Sequence, residues 1–77
     1  MNKRRRTELK NIIEILEEAN SRLEMVKDEE QEAFDNLPEG IQYSERGEQM
    51  EEYVDSMDEA YDSIQEAIDT LTEIAES

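Results

Sequence analysis

The sequence has no cysteine, no histidine and no tryptophan, a single proline and two glycines, and after Arg46 it has no basic residue at all. Each absence removes a class of function. Without cysteine there is no disulfide framework, no thiolate nucleophile and no thiolate-bound metal. Without histidine there is no imidazole base, and zinc sites of the common kinds are excluded. Carboxylate-bridged di-iron bundles go with them, because those use Glu-x-x-His. No G-x-x-x-x-G-K-[ST], G-x-G-x-x-G or G-x-S-x-G is present. Asp55-Ser56-Met57-Asp58 lacks the turn glycine of an EF-hand loop. No stretch approaches the roughly 18 apolar residues of a membrane span. The basic start MNKRRR is followed by polar Thr7 to Asn11 rather than the apolar core of a secretory signal. The expectation is a cytosolic protein that is not an enzyme and carries no cofactor and no metal.

What the sequence does have is acid. Its 77 residues hold 23 Asp+Glu against 8 Lys+Arg, a net charge of −15, and only 35% are hydrophobic. That balance is typical of disordered chains, which cannot bury enough apolar surface to offset chain entropy. The pattern argues for structure instead. Leu9, Ile12, Leu16, Ala19, Leu23, Val26, Ala33 and Leu37 follow a 3–4 spacing on which Glu30 is the one charged residue. A second series, Met50, Val54, Met57, Tyr61, Ile64, Ile68, Leu71 and Ala75, advances by 4 or 3 at every step. These are two amphipathic helices with heptad seams.

The stripes are wider than a two-stranded coiled coil requires. Tyr53, Ala60, Ala67 and Ile74 add a further line to the second helix, and Ile13, Ile15 and Phe34 broaden the first. Three apolar positions per heptad suit a helix with more than one neighbour. Pro38 disfavours helical geometry at Leu37 and ends the first helix near Asn36. Pro38 and Gly40 suit a type I turn. Ile41 and Tyr43 are placed to fold back onto the open end, and Ser44 to cap the next helix. The first helix has two possible caps, Asn2 and Thr7. The expected architecture is a single all-α domain: a helix over about 7–36, a loop over 37–44 and a helix over about 45–76, preceded by a basic segment 1–6. The antiparallel hairpin is expected to dimerise into a four-helix bundle. Its oligomer seam would comprise Leu9, Ile12, Leu16, Leu23, Val26, Val54, Met57, Tyr61, Ile64, Ile68 and Leu71. Met25 lies off that seam, free to face a partner.

The charge is unevenly placed. Glu48, Glu52, Asp55, Glu59, Asp62, Glu66, Asp69, Glu73 and Glu76 repeat at 4–3 spacing away from the apolar seam, flanked by Glu51 and Asp58. Like charges at i,i+4 each cost a helix a few tenths of a kcal/mol, about 0.2–0.5. The row therefore opposes its own helix, and stability alone does not account for it. A solvated face kept acidic for solubility is one explanation. A ridge that imitates a nucleic acid backbone is the other. Its charges recur about every 5 Å of helix axis, against a phosphate about every 3.4 Å along one DNA strand. Arg4 to Arg6 would lie beside Glu73, Glu76 and the terminal carboxylate in an antiparallel hairpin and pair with them.

The segment Phe34 to Pro38, the Ser44-Glu45 pair and the Asp/Glu/Ile repeats of residues 55–74 resemble a set of small acidic helical proteins of phages and conjugative elements of gut bacteria. In that set an acidic helix ends in Asn-[Leu/Ile]-Pro-Glu, followed by Ser-Glu and a second acidic helix. The resemblance implies a mobile-element origin. By analogy with small acidic phage inhibitors, it suggests a protein that blocks a basic, nucleic-acid-binding surface of a host nuclease or defence protein. No direct contact with nucleic acid or membrane is expected from so acidic a chain. The alternative is a structural or adaptor hairpin acting through its apolar stripe.

Overall fold

A computed structural model describes residues 1–77. The chain is all-α: a long helix α1 (Lys3–Asp35), a single helical turn α2 (Glu39–Gln42) and a second long helix α3 (Glu45–Glu76). The two long helices lie antiparallel and contact each other along their length. The result is a rod with Cα extents of 58 × 14 × 12 Å and a radius of gyration of 17.4 Å. A compact chain of this length would have a radius of gyration of about 11.5 Å.

Helix α1 starts earlier than the expected boundary near Thr7. Asn2 is extended, and its side-chain oxygen accepts from the Arg5 amide at 2.9 Å. That bond satisfies one of the orphan donors of the first turn. It places Arg4, Arg5 and Arg6 in the first turn, where they oppose the helix dipole. Arg6 finds a compensating site across the hairpin. Its guanidinium donates to the backbone oxygens of Ala75, at 3.3 Å, and of Ser77. Those are unsatisfied carbonyls at the negative end of α3, where a cation is favoured. The expected pairing is made in part: Arg6 reaches the terminal residue Ser77, whereas no base of this segment pairs with Glu73 or Glu76, and the one ion pair between side chains lies elsewhere.

The connection also departs from expectation. Pro38 has ψ of 144°, outside type I geometry, and its carbonyl accepts from the amides of Ile41 (2.8 Å) and Gln42 (3.1 Å). Pro38 therefore opens the turn of helix α2 rather than a β-turn. That turn points Gln42 inward, where its Nε2 donates to the carbonyl of Phe34 at 3.1 Å and closes the end of α1. Ile41 and Tyr43, expected to tuck in, are turned outward, Tyr43 to 78% exposure. Ser44 has the extended backbone of a cap, but its hydroxyl donates back to the Ile41 carbonyl and not into α3. Gly47 is buried against this loop, because a Cβ there would overlap the Gln42 carbonyl oxygen.

Each long helix turns one 3–4 line toward the other. In α3 that line is Gly47, Met50, Val54, Met57, Tyr61, Ile64, Ile68, Leu71 and Ala75, as the spacing predicts. In α1 it is Arg6, Leu9, Ile13, Leu16, Asn20, Leu23, Lys27, Glu30 and Phe34. Leu9, Leu16 and Leu23 fall where expected. Ile12, Ala19, Val26 and Ala33 do not: they sit one position earlier on the helix, outside the seam, with Val26 53% exposed. The α1 stripe is three lines wide, and one partner helix covers only two of them. The line taken inside carries Ile13 and Phe34, the latter far bulkier than Ala33, together with Asn20 and Lys27, which find partners on α3.

One of those polar residues is a register pin. Asn20 is 3% exposed, and its Nδ2 donates to the Tyr61 carbonyl at 3.2 Å, while its Oδ1 has no partner. A buried Asn in a helical seam specifies alignment at a cost in stability. Replacing Asn20 with Leu should remove the unpaired oxygen, continue the Leu16–Leu23 line and stabilise the fold by about 1–2 kcal/mol. Thermal melts would show this as a rise of roughly 4–8 °C for each kcal/mol. A lower melting temperature would mean that the bond to Tyr61 outweighs apolar contact.

Candidate functional site

In an antiparallel pair, the residues just before one inward line share a flank with their counterparts on the other helix, and those just after the other inward line share the opposite flank. The two flanks of this hairpin differ in chemistry. One carries Ile12, Ala19, Val26 and Ala33 from α1 and Tyr53, Ala60, Ala67 and Ile74 from α3. Val26, Glu30, Tyr53, Ser56, Met57 and Ala60 line a groove of about 440 Å³ on that side, which places both helices' lines on one surface. The opposite flank carries Lys10, Glu17, Glu24 and Gln31 from α1 and Glu51, Asp58, Gln65 and Thr72 from α3. A second groove there, of about 370 Å³, is lined by Lys10, Ile13, Glu14, Glu17, Thr72, Ala75 and Glu76.

The acids of α3 are confined to one side of the helix. They form two outer lines, Glu45, Glu52, Glu59, Glu66, Glu73 and Glu48, Asp55, Asp62, Asp69, Glu76, together with Glu51 and Asp58 on the polar flank. Every one is exposed. The third outer line, Gln49, Ser56, Ser63 and Thr70, is uncharged and borders the apolar flank. The sequence-predicted ridge (Glu48, Glu52, Asp55, Glu59, Asp62, Glu66, Asp69 and Glu73) is therefore one continuous solvent-facing surface. It is turned toward the polar flank, where Glu17 and Glu24 of α1 extend the acidic side across both helices. Those two were hidden from sequence reasoning. Only the register of α1 against α3 assigns them to the same side, and the seven-residue spacing of Lys10, Glu17, Glu24 and Gln31 was their one signal. No group of three or more carboxylates converges closely enough to hold a metal ion.

The bases do little to offset it. Lys27 reaches from the seam to Asp58, with its Nζ 3.0 Å from the carboxylate and 5.9 Å from the centre of the Tyr61 ring. The hydrogen bond to Asp58 holds the Lys27 ammonium above its ordinary pKa of 10.5, reinforced by the charges of Asp58, Asp28 and Glu24 against some desolvation. A raised folded value means that this pair stabilises the fold below pH 10.5 and that its contribution fades as the pH rises through the folded value. The stability difference between the wild type and Asp58→Asn should accordingly shrink as the pH rises above 10.5, measured by urea denaturation. An unchanged difference would show that Asp58 acts by another route.

Of the predicted oligomer-seam residues, Leu9, Leu16, Leu23, Val54, Met57, Tyr61, Ile64, Ile68 and Leu71 lie between the two helices, whereas Ile12 and Val26 lie on the apolar flank. Met25 and Ile15 are exposed on the outer surface of α1. No helix is long and apolar enough to cross a membrane. Comparison of the chain with protein families, curated proteins and solved structures finds no match.

Proposed function

We propose that the chain is a non-enzymatic acidic binding protein that occupies a basic, nucleic-acid-binding surface of another protein. In this reading it is an inhibitor carried by a phage or other mobile element, and it acts in the bacterial cytoplasm on a host nuclease or defence protein. One observation carries the proposal. Two full-length lines of acids run along α3, all exposed, and no base of that helix lies among them. Such a surface is costly to its own helix, yet it projects a field that concentrates cationic partners and speeds their association by about 10- to 1000-fold. A rod whose Cα atoms span 58 Å by 14 Å has the elongated form needed to lie along a groove for nucleic acid.

The test is competition. The protein that binds the chain in a bacterial lysate would be purified, and DNA or RNA titrated into the complex. Displacement by nucleic acid, with binding that weakens as salt rises, is the expected result. A complex that nucleic acid leaves intact and that salt does not weaken would refute the reading. The second reading, an adaptor hairpin that completes another protein's helical bundle, is favoured by the exposed apolar flank around Val26, Tyr53 and Ala60. It predicts a complex insensitive to salt and abolished by charge on that flank.

A further inference from the structure

The hairpin leaves too much apolar surface uncovered. Only Ile68 and Ala75 are buried hydrophobic residues, and no large side chain is fully enclosed. The accessible surface is 5930 Å² for a mass of 9.1 kDa, whereas a compact monomer of that mass exposes about 4,900 Å². The difference, about 1,000 Å², is close to one side of a standard protein interface, about 800 Å². The apolar flank has matching dimensions. From Ile12 to Ala33, and from Tyr53 to Ile74, it runs about 31 Å along the axis. Across two helices it is about 20 Å wide, or roughly 600 Å² per copy, which is enough for a small but specific interface.

We infer that the apolar flank is the site at which a second copy of this chain docks, forming a four-helix bundle. Charge placement favours a second copy as the occupant. A partner of net charge −15 approaches most readily over the surface poorest in acid. On α3 the flank line Tyr53, Ala60, Ala67, Ile74 and the bordering line Gln49, Ser56, Ser63, Thr70 are the exposed lines that hold no acid. On α1 the flank line Ile12, Ala19, Val26, Ala33 is uncharged too, and Glu30 is the one acid that lines the groove between the helices. Two such flanks brought together by a two-fold axis bury mainly uncharged surface, and each copy supplies the helices that the other lacks. The acidic sides then face outward in opposite directions, so the dimer would present two of them. Only this last consequence rests on the acidic reading of function; the docking itself does not.

The chain contains no cysteine, so a single introduced thiol reports on its own position. Sedimentation equilibrium at micromolar concentration should give twice 9.1 kDa, and the melting temperature should rise with protein concentration. Ala60→Glu with Ala67→Glu should weaken association by at least about a hundredfold, since like charges would be forced together. Gln31→Glu with Gln65→Glu, which adds the same charge to the polar flank, should leave the dimer intact. Should the Ala60/Ala67 variant lose its helices, thiol protection decides the matter. Alkylation of Ala60→Cys should slow as protein concentration rises, and alkylation of Gln65→Cys should not. A wild-type monomer with a concentration-independent melting temperature overturns the inference and leaves the flank to a different protein. A dimer that survives the Ala60/Ala67 variant, or alkylation of Ala60→Cys that is indifferent to concentration, overturns it as well.

Discussion

Neutralising Glu52, Asp55, Glu59, Asp62, Glu66 and Asp69 to Gln or Asn is expected to abolish binding to a basic partner while making the hairpin more stable. The two effects have one origin. These side chains are all exposed, none lies on the seam, and no base of their own helix lies among them. They take part in six acid pairs at i,i+4 (Glu48–Glu52, Glu51–Asp55, Asp55–Glu59, Asp58–Asp62, Asp62–Glu66 and Asp69–Glu73), and each such pair costs about 0.2–0.5 kcal/mol. Removing the charges should relieve about 1–3 kcal/mol of repulsion. Salt should produce part of the same gain in the wild type, because screening acts over about 8–10 Å at physiological ionic strength. The field that attracts a cationic surface weakens with the repulsion, so the association rate should fall by about 10- to 1000-fold. Surface plasmon resonance at low and high salt, alongside thermal melts of both proteins, would measure the two together. Binding that persists in the neutral variant would exclude the acidic face as the contact. A neutral variant that melts lower would show that the row is structurally useful, contrary to the pairwise electrostatics.

The second large effect lies at the loop. Gly47→Ala should destabilise the hairpin by about 2 kcal/mol, although alanine is favoured over glycine in a helix by about 1 kcal/mol. The added Cβ would overlap the Gln42 carbonyl oxygen and lie 2.6 and 2.8 Å from the Gln42 carbonyl carbon and Cα. Those are backbone atoms, so no side-chain rotation can relieve the clash. The loop must lift from α3, and with it go the bonds from Gln42 Nε2 to the Phe34 and Asp35 carbonyls that close α1. Overpacking of this kind typically costs about 1–3 kcal/mol. Gly40 is the control. Nothing lies within 4 Å of a Cβ built there, so Gly40→Ala should stabilise by about 0.5–1 kcal/mol through helix α2. Urea denaturation of the two variants should therefore move in opposite directions. A neutral or stabilising Gly47→Ala would mean that the loop is not held against α3 in solution.

The acidic and apolar surfaces help to explain each other. A chain with so few buried side chains has little stability to spare, and a repulsive row along one helix reduces it further. Association through the apolar flank would restore burial without covering any acid of α3. The functional face and the stabilising face would then be separate, and each could be altered without the other. That separation makes the ridge variant and the flank variant independent tests, one reading partner binding and the other self-association.

The residue pattern alone determines the existence of two long helices, their break at Pro38, the complete inward line of α3 and the exposure of its acidic row. Each of these follows from local information: a 3–4 period, a ring that cannot continue a helix, and carboxylates too costly to bury without partners. The start of α1 at Asn2 was one of two local options, and the bond from the Arg5 amide to the Asn2 side chain selects it. The register of α1 was not local information. Asn20, Lys27 and Arg6 look like surface residues in sequence, and they enter the seam because the Tyr61 carbonyl, Asp58 and the backbone oxygens of Ala75 and Ser77 stand opposite them. That register carries Ile12, Ala19, Val26 and Ala33 out to one flank and Glu17 and Glu24 to the other. The sequence could show that α1 has more apolar lines than one neighbour can cover. Only the tertiary structure decided which line is left over, because the choice depends on partners more than thirty residues away in the chain.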